Sequence, residues 1–169
     1  RGNELNACLS FLRHEQETDG SWFGRWGTNY AYGTWSVLTA LEKVNDPLHR
    51  FQVERAVNWL KSGQRPDGSW GEDCETYFDR HCRSDMGGTS FQTAWAILGL
   101  MAAGQAGSDE VRRGAEYLVR TQGPDGFWRD EAFTAPGFPR VFYLKYHGYS
   151  KYFPLWALSR YRNFRSRSG

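Results

Sequence analysis

Apolar residues recur at helical spacing along most of this chain. They lie three or four residues apart in six stretches: Asn3 to Glu15, Tyr30 to Val44, Leu48 to Ser62, Ser90 to Ala103, Asp109 to Thr121 and Tyr152 to Tyr161. This pattern predicts a chain built entirely from helices.

The predicted helices are of two kinds. Three segments are apolar nearly all round: Thr34 to Leu41, Thr93 to Leu100 and Pro154 to Leu158. The stretches Leu48 to Ser62 and Asp109 to Thr121 are instead amphipathic and charged. Because an all-apolar helix belongs in the interior and an amphipathic one at the surface, inner and outer helices alternate along the chain. The fold class predicted is all-α, an α/α barrel (toroid) of helical hairpins, of which this chain supplies about half a ring.

One seven-residue pattern occurs three times: Gln, four residues ending in Asp-Gly, one spacer, and Trp. The copies run from Gln16 to Trp22, from Gln64 to Trp70 and from Gln122 to Trp128. Their starts are 48 and 58 residues apart, the length of one helical hairpin each. A repeated unit that cannot bury its apolar face alone must stack on its neighbours. We therefore interpret the Gln and Trp residues as structural.

Each Asp-Gly pair predicts a turn in which glycine has a positive φ. The repeat would then end an outer helix, where a Gln amide can reach backbone groups of a neighbouring helix. Two longer segments, Gly71 to Thr89 and Arg129 to Lys151, separate the later repeats from their inner helices. Extra residues in repeat proteins usually lie on one rim and often bind ligands, so these segments are the expected place for chemistry.

The composition of the chain argues against some classes of function. The 169 residues carry a formal charge of +2 with mixed signs, which does not favour nucleic acid as a partner. The longest apolar run, Ala94 to Ala103, is far below the ~20 residues of a membrane-spanning helix. The aromatic content of 8 Trp, 9 Tyr and 11 Phe calls for a large core or a cavity to line. The three cysteines do not have the spacing of a disulfide-bonded secreted protein, which indicates a reducing compartment. The chain starts with Arg-Gly-Asn, which suggests a piece of a longer or processed protein.

Several longer motifs accompany the repeats. They are Asp19-Gly-Ser-Trp-Phe-Gly-Arg-Trp-Gly27, Tyr32-Gly-Thr-Trp35, Gly68-Ser-Trp-Gly-Glu-Asp73, Gln92-Thr-Ala-Trp-Ala96, Gly137-Phe-Pro139, Phe142-Tyr-Leu-Lys-Tyr146 and Tyr152-Phe-Pro-Leu-Trp-Ala-Leu158. With the Gln/Trp repeats, they make the whole chain resemble the squalene-hopene cyclases and related triterpene cyclases. The Gly-Phe-Pro segment is more similar to the bacterial hopene-forming branch than to the sterol-forming one.

The resemblance implies that residues 1 to 169 are a C-terminal segment of the catalytic α/α barrel. In that family an Asp of a DxDD motif protonates a terminal alkene of squalene, and ring closures proceed through carbocations. This chain has neither DxDD nor the DDxxD metal-binding motif. The acid-bearing portion is therefore not present, and the isolated segment is expected to be inactive. No metal or organic cofactor is expected.

The same resemblance implies which residues face the carbocation. Trp26 would stack along the polyene, Phe138, Phe142, Tyr146 and Tyr149 would line the region where later rings close, and Tyr32 would lie near the acid. Ring faces attract cations, so an aromatic lining suits this chemistry. The spacing of Phe142, Tyr146 and Tyr149 puts them on one face if that stretch is helical.

Alternatives stay open at this stage. One is an α/α toroid that serves only as a binding or interaction module, with the aromatics as core. Another is a zinc enzyme similar to the protein-prenyltransferase β subunits, since Cys74, Asp79, His81 and Cys82 have ligand types that suit zinc. The run Arg160 to Arg167 is read as a solvated end, with contact to anionic lipid as the alternative.

The partners expected from the resemblance are a linear C30 polyprene, the remainder of the parent chain and the bacterial cytoplasmic membrane. Membrane contact would be peripheral, on the cytoplasmic side. A homodimer is a further open alternative.

Overall fold

The computed structural model describes residues 2–82 and 86–168, and most of them are helical. The helices are α1 (Asn3–His14), α2 (Tyr30–Val44), α3 (Arg50–Ser62), α4 (Ser90–Ala102), α5 (Asp109–Thr121) and α6 (Tyr149–Ser168). Two 3₁₀ turns, Pro47–His49 and Cys74–Tyr77, precede α3 and α4. The helix predictions are confirmed to within a few residues, except that α6 starts three residues earlier and runs seven residues further.

The helices alternate between an inner and an outer layer, as predicted. Every residue of α4 is buried, and this helix packs between α2 and α6. The outer helix α5 buries only one face, including Val111 and Leu118. The prediction holds less well for α6, because Leu155 and Trp156 are exposed although Pro154 and Ala157 are buried. The mostly helical fold with paired helices is that of the predicted α/α toroid.

The three repeats fold alike at the ends of α1, α3 and α5. The glycines of the Asp-Gly pairs, Gly20, Gly68 and Gly126, have φ values of 100°, 91° and 83°. An aspartate oxygen accepts the backbone N–H two residues on in each copy, for example Asp67 Oδ1 from Ser69 at 3.0 Å. The positive φ predicted from the sequence is confirmed, and it is a conformation that favours glycine.

The repeat tryptophans complete each outer helix. The indole N–H of Trp22, Trp70 and Trp128 donates to the carbonyl of Leu12, Leu60 and Leu118, at 2.7, 2.7 and 2.8 Å. Each acceptor lies in the last turn of its helix, where carbonyls lack an intrahelical partner. All three rings are buried. Each tryptophan therefore gives a hydrogen bond to a carbonyl at the helix end and also packs its ring into the core between hairpins.

The glutamines of the first two repeats connect successive outer helices, as expected. Gln16 Nε2 donates to Gln52 O in the first turn of α3, and Gln64 Nε2 donates to Glu110 O in the first turn of α5, both at 2.9 Å. These acceptors are first-turn carbonyls and not the unpaired carbonyls of a helix end.

The prediction of an entirely helical chain is wrong in the second insertion. Strands β1 (Ala135–Phe138) and β2 (Phe142–Leu144) form an antiparallel pair with a register shift between Pro136 and Phe138. Pro136 and Pro139 lack the backbone N–H that a helical hydrogen bond needs, which disfavours a helix in this short segment. Phe142 is therefore in a strand, Tyr146 follows it, and Tyr149 begins α6, so the three do not share one helix face.

Candidate active-site surface

The residues assigned to the carbocation site fall into two groups. Trp26, Phe138 and Phe142 are exposed, with 63, 59 and 45% of their surfaces accessible. Phe138 and Phe142 touch edge to face, with ring centroids 5.6 Å apart. We call these three residues the exposed rings. The structure brings them to one region, on the Gly-Arg-Trp-Gly loop and on the β1–β2 hairpin beside it.

Arg25 joins the two parts of this region. Its guanidinium carbon lies 4.3 Å from the centre of the Trp26 ring and 5.9 Å from that of Phe138. One guanidinium nitrogen, Nη1, is buried and has no hydrogen-bond acceptor among the described residues. A cation over an aromatic face is attracted to it, so Arg25 fixes the orientation of Trp26 and covers part of the ring.

The loop that carries Trp26 is held by hydrogen bonds from three other segments, two through side chains and one through the backbone. Tyr77 donates its hydroxyl to Gly24 O and Gly27 O, at 2.8 and 3.0 Å. Buried Gln92 of α4 donates to Thr28 O at 3.0 Å, and Thr28 N donates to Thr134 O at 3.0 Å. Trp26 is thus an exposed ring on a rigid support, which is the arrangement that a preorganised binding surface needs.

Two glycines make room for the assigned rings. A Cβ on Gly27 would lie 2.4 Å from the Tyr32 ring, and one on Gly137 would lie 1.9 Å from the Phe142 ring. Both distances are far inside van der Waals contact, so any side chain would displace the ring. The glycines of the Gly-Arg-Trp-Gly and Gly-Phe-Pro motifs are therefore steric requirements of the site.

The second group surrounds Trp95, which is fully buried in α4. Tyr32 and Tyr149 pack edge to face against it, with centroids 5.1 and 5.8 Å away, and Tyr146 lies 5.2 Å from Tyr149. We call the set Tyr32, Trp35, Phe91, Trp95, Tyr149 and Phe153 the buried ring cluster. Tyr146 connects this cluster to the surface, because almost half of its area is accessible.

Comparison with known proteins identifies the chain. The family model for the squalene-hopene cyclase C-terminal domain matches residues 2–163. The chain belongs to the squalene-hopene cyclase family. It is 54% identical over 167 residues to a probable squalene-hopene cyclase of Sinorhizobium fredii, a match covering 98% of this chain and 26% of that protein.

Two further relatives agree. The squalene-hopene cyclase of Zymomonas mobilis subsp. mobilis is 52% identical over 163 residues, covering 96% of this chain and 25% of that protein. The solved structure of ent-copalyl diphosphate synthase from Streptomyces platensis aligns with a TM-score of 0.70 and 25% identity, covering 92% of this chain and 27% of that one. The chain thus spans about a quarter of the length of the curated relatives it matches.

The surroundings of Tyr32, Tyr77 and Tyr149 favour the neutral form of these three phenols. Burial raises the pKa of Tyr32, and burial with the nearby Tyr32 and Tyr146 raises the pKa of Tyr149. Burial, followed by the charges of Glu72 and Cys74, likewise raises the pKa of Tyr77. A neutral phenol presents a ring face to a cation without being a strong base that would remove a proton from it.

Glu72 is a partly buried carboxyl beside the start of α2. It accepts the backbone N–H groups of Ala31 at 2.6 Å and Tyr30 at 3.2 Å, at the start of α2. Burial raises its pKa, and the hydrogen bonds from the helix end oppose that shift. Gln92 holds the same segment by donating to Glu72 O at 2.7 Å. Glu72 therefore fixes α2, which carries Tyr32.

The zinc alternative finds no support in residues 2–82 and 86–168, where no three His, Cys, Asp or Glu side chains are grouped to hold a metal ion. Burial raises the pKa of the Cys74 thiol to about 11, which disfavours the thiolate that a metal needs. The Cys74 Sγ lies 3.9 Å from the Thr28 hydroxyl. Residues 83–85 of the first insertion lie outside the described residues.

Several residues that shape the site carry little signal that the sequence alone reveals. Arg25 and Gly27 were quoted only as parts of a motif, and Tyr77 and Glu72 were not singled out. The partners of Tyr77 and Glu72 lie 41 to 53 positions away in the sequence, for example Gly24 for Tyr77, and Arg25 reaches Phe138 of the second insertion. The one available signal was that Tyr77 and Glu72 lie in the insertion where chemistry was expected.

Proposed function

We propose that the protein containing this chain is a triterpene cyclase of the squalene-hopene type, and that the chain supplies its cation-stabilising aromatic surface. The substrate would be a linear C30 polyprene, and an acid outside these 169 residues would protonate its terminal alkene. The observation that carries the proposal is the set of exposed rings on a hydrogen-bonded support in a chain of this family.

The exposed rings stabilise the carbocation intermediates and take no part in the initial protonation of the alkene. Protonation converts one alkene into a carbocation, and each ring closure moves the positive charge to a new carbon until a proton is lost or water adds. Each aromatic face contributes roughly 0.5 to 1 kcal/mol to holding a cation at an exposed site, and about 2 kcal/mol or more when the cation is desolvated. Trp26, Phe138 and Phe142 supply such faces without a carboxylate or amine that would quench the cation.

The test uses a full-length cyclase that carries this chain, with squalene as substrate and gas chromatography of the products. Trp26→Ala and Phe142→Ala should release incompletely cyclised products, whereas Trp26→Phe, which keeps a ring face, should retain more of the full product. Phe51→Ala is the matched control, because Phe51 is equally exposed but lies on the outer helix α3. Unchanged product ratios in both alanine variants would reject the role in cation stabilisation.

We further propose peripheral association with the cytoplasmic face of a bacterial membrane, because a C30 polyprene dissolves in the bilayer. The described residues contain no helix long and apolar enough to span a membrane. Arg162, Arg165 and Arg167 are exposed on α6 and suit anionic head groups, whereas Arg160 pairs with Glu42 of α2 and is not simply solvated. A full-length cyclase that carries this chain should co-sediment with anionic vesicles and not with neutral ones. A homodimer stays a prediction.

A further inference from the structure

One buried side chain, that of Tyr77, contacts the loop that carries Trp26. Tyr77 is 3% exposed and ends the 3₁₀ turn of the first insertion. Its hydroxyl oxygen lies 2.8 Å from Gly24 O and 3.0 Å from Gly27 O, the carbonyls on either side of the ring-bearing residue. Since a hydroxyl has one hydrogen to donate, the two carbonyls share it. Both ends of the short loop around Trp26 therefore converge on a single atom.

The same residue also holds the β1–β2 hairpin. The Tyr77 ring stacks on Tyr143 of β2, with centroids 5.9 Å apart and an angle of 29° between the planes. The Tyr77 carbonyl accepts Nε of Arg140 at 2.5 Å, and Arg140 N donates to the Tyr143 hydroxyl at 3.2 Å. Arg140 lies in the turn between the two strands. Tyr77 is thus attached to the hairpin through its ring and its backbone, and to the loop through its hydroxyl.

The hydroxyl is kept as a donor by its surroundings. Burial, followed by the charges of Glu72 and Cys74, raises the pKa of Tyr77, so the phenol keeps its proton. Gly24 and Gly27 are both buried, and a buried carbonyl that loses its donor is costly. Removal of the hydroxyl should therefore make the loop turn its carbonyls towards other donors.

The loop has further supports that do not involve Tyr77. Thr28 N donates to Thr134 O at 3.0 Å, and Gly24 N donates to Asn29 Oδ1 at 3.1 Å. These bonds remain when the hydroxyl is removed. Loss of the hydroxyl is therefore expected to shift and loosen the loop without unfolding it.

We infer that Tyr77 is a positioning residue for the cyclisation, because it fixes the Trp26 ring relative to the rings on the β1–β2 hairpin. This role rests on the function proposed above, since Tyr77 acts on the carbocation only through those rings. As rings close, the positive charge moves along the polyene, and each aromatic face must stand where the charge arrives. A misplacement of about 1 Å can lower the rate of a positioned reaction by a large factor. Proton loss from the poorly stabilised cation then competes with the next ring closure.

The test compares Tyr77→Phe with Tyr117→Phe in a full-length cyclase that carries this chain. Both changes remove a buried phenol hydroxyl that binds backbone carbonyls, but Tyr117 lies on the outer helix α5 and donates to Gly88 O at 3.0 Å. Phenylalanine keeps the ring contacts of Tyr77 with Phe23 and Tyr143. With squalene as substrate, Tyr77→Phe should raise the ratio of incompletely to fully cyclised products about fivefold, the factor that corresponds to one hydrogen bond. Tyr117→Phe should leave the ratio unchanged, and equal ratios in the two variants would refute the role.

A double-mutant cycle separates positioning from a general loosening of the fold. If Tyr77 acts through Trp26, then Tyr77→Phe should change the products little once Trp26→Ala is present. An equal change in both backgrounds would overturn the inference. Trp26→Ala by itself tests the proposed function: unchanged products in that variant reject the function and the positioning role with it. A change in Trp26→Ala with none in Tyr77→Phe rejects the positioning role only.

A spectroscopic measurement reports on the ring without substrate. Fluorotryptophan is placed at position 26 alone by codon suppression, and the full-length protein is studied by fluorine NMR. The parent and Tyr117→Phe should give one resonance of the same shift and width. Tyr77→Phe should give a broader, shifted or second resonance, because the Trp26 ring then occupies more than one position. A resonance unchanged in Tyr77→Phe would contradict the inference, whatever the activity of the variant.

Discussion

The buried ring cluster and the exposed rings use the same amino acids for opposite purposes. Trp95 has no accessible surface and contacts five other rings, whereas Trp26 is mostly accessible and lies under a guanidinium. The first holds three inner helices together through packing. The second is held in place by hydrogen bonds to its backbone loop. Aromatic composition alone therefore does not distinguish core residues from site residues. What distinguishes them is whether a ring is held by packing against other rings or by hydrogen bonds to the backbone that carries it.

The largest effect should come from the centre of the buried ring cluster. Trp95→Ala removes a fully buried side chain, and we expect it to lower the free energy of unfolding by about 3 to 5 kcal/mol. Urea denaturation of the chain measures it. If Trp95→Ala cost no more than Trp26→Ala, the distinction between the two sets of rings would be wrong.

A smaller loss is expected where an indole completes a helix. Trp70→Phe leaves the Leu60 carbonyl without its 2.7 Å donor, which should cost about 1 to 3 kcal/mol beyond the change in ring size. Trp95→Phe is the matched control, because the Trp95 N–H has no acceptor among the described residues. Equal losses in the two variants, measured by denaturation, would contradict the capping role.

The third contrast is electrostatic and depends on pH. Burial raises the pKa of Glu72 above its ordinary 4.5, so the folded state binds its proton more tightly than the unfolded state does. Its contribution to stability is therefore fully present below pH 4.5 and is lost as pH rises through the folded-state pKa. Unfolding measured at a series of pH values should show the native chain losing stability relative to Glu72→Gln as pH increases. Parallel curves for the two proteins would exclude this assignment.

The smallest effect on stability should come from the exposed rings. Trp26→Ala removes a mostly accessible side chain, and we expect a change within about 0.5 kcal/mol in the unfolding of the chain. In a full-length cyclase the same substitution should alter the products. A large loss of stability in the chain would show that Trp26 is part of the core.

The sequence analysis predicted the helices and the repeats well, since both are local patterns. The alternation of apolar and amphipathic segments located α2 to α5, and Asp-Gly located turns whose glycines have positive φ. For Phe142, Tyr146 and Tyr149 the sequence predicted one shared face on the condition that the stretch is helical, and this condition is not met. Spacing is informative only if the secondary structure is known, and here residues 135–144 form a hairpin.

The sequence identified the candidate site residues, but it did not predict how they are arranged in space. Family motifs identified Trp26, Tyr32, Phe138, Phe142, Tyr146 and Tyr149, and their catalytic roles remain predictions. Nothing in the sequence indicated that Arg25 lies over the ring of its neighbour Trp26 and near that of Phe138, or that Tyr77 bonds the loop around it. The contacts of Arg25 with Phe138 and of Tyr77 with Gly24 join residues that are far apart in the chain and depend on how the insertions fold.

Local rules thus settled the helical hairpins, the turns that end them and the family, because periodicity, turn chemistry and motif identity are written in consecutive residues. Tertiary packing alone decided which rings are core and which are accessible. Those outcomes depend on what lies next to each side chain in space, as the different surroundings of Trp95 and Trp26 show.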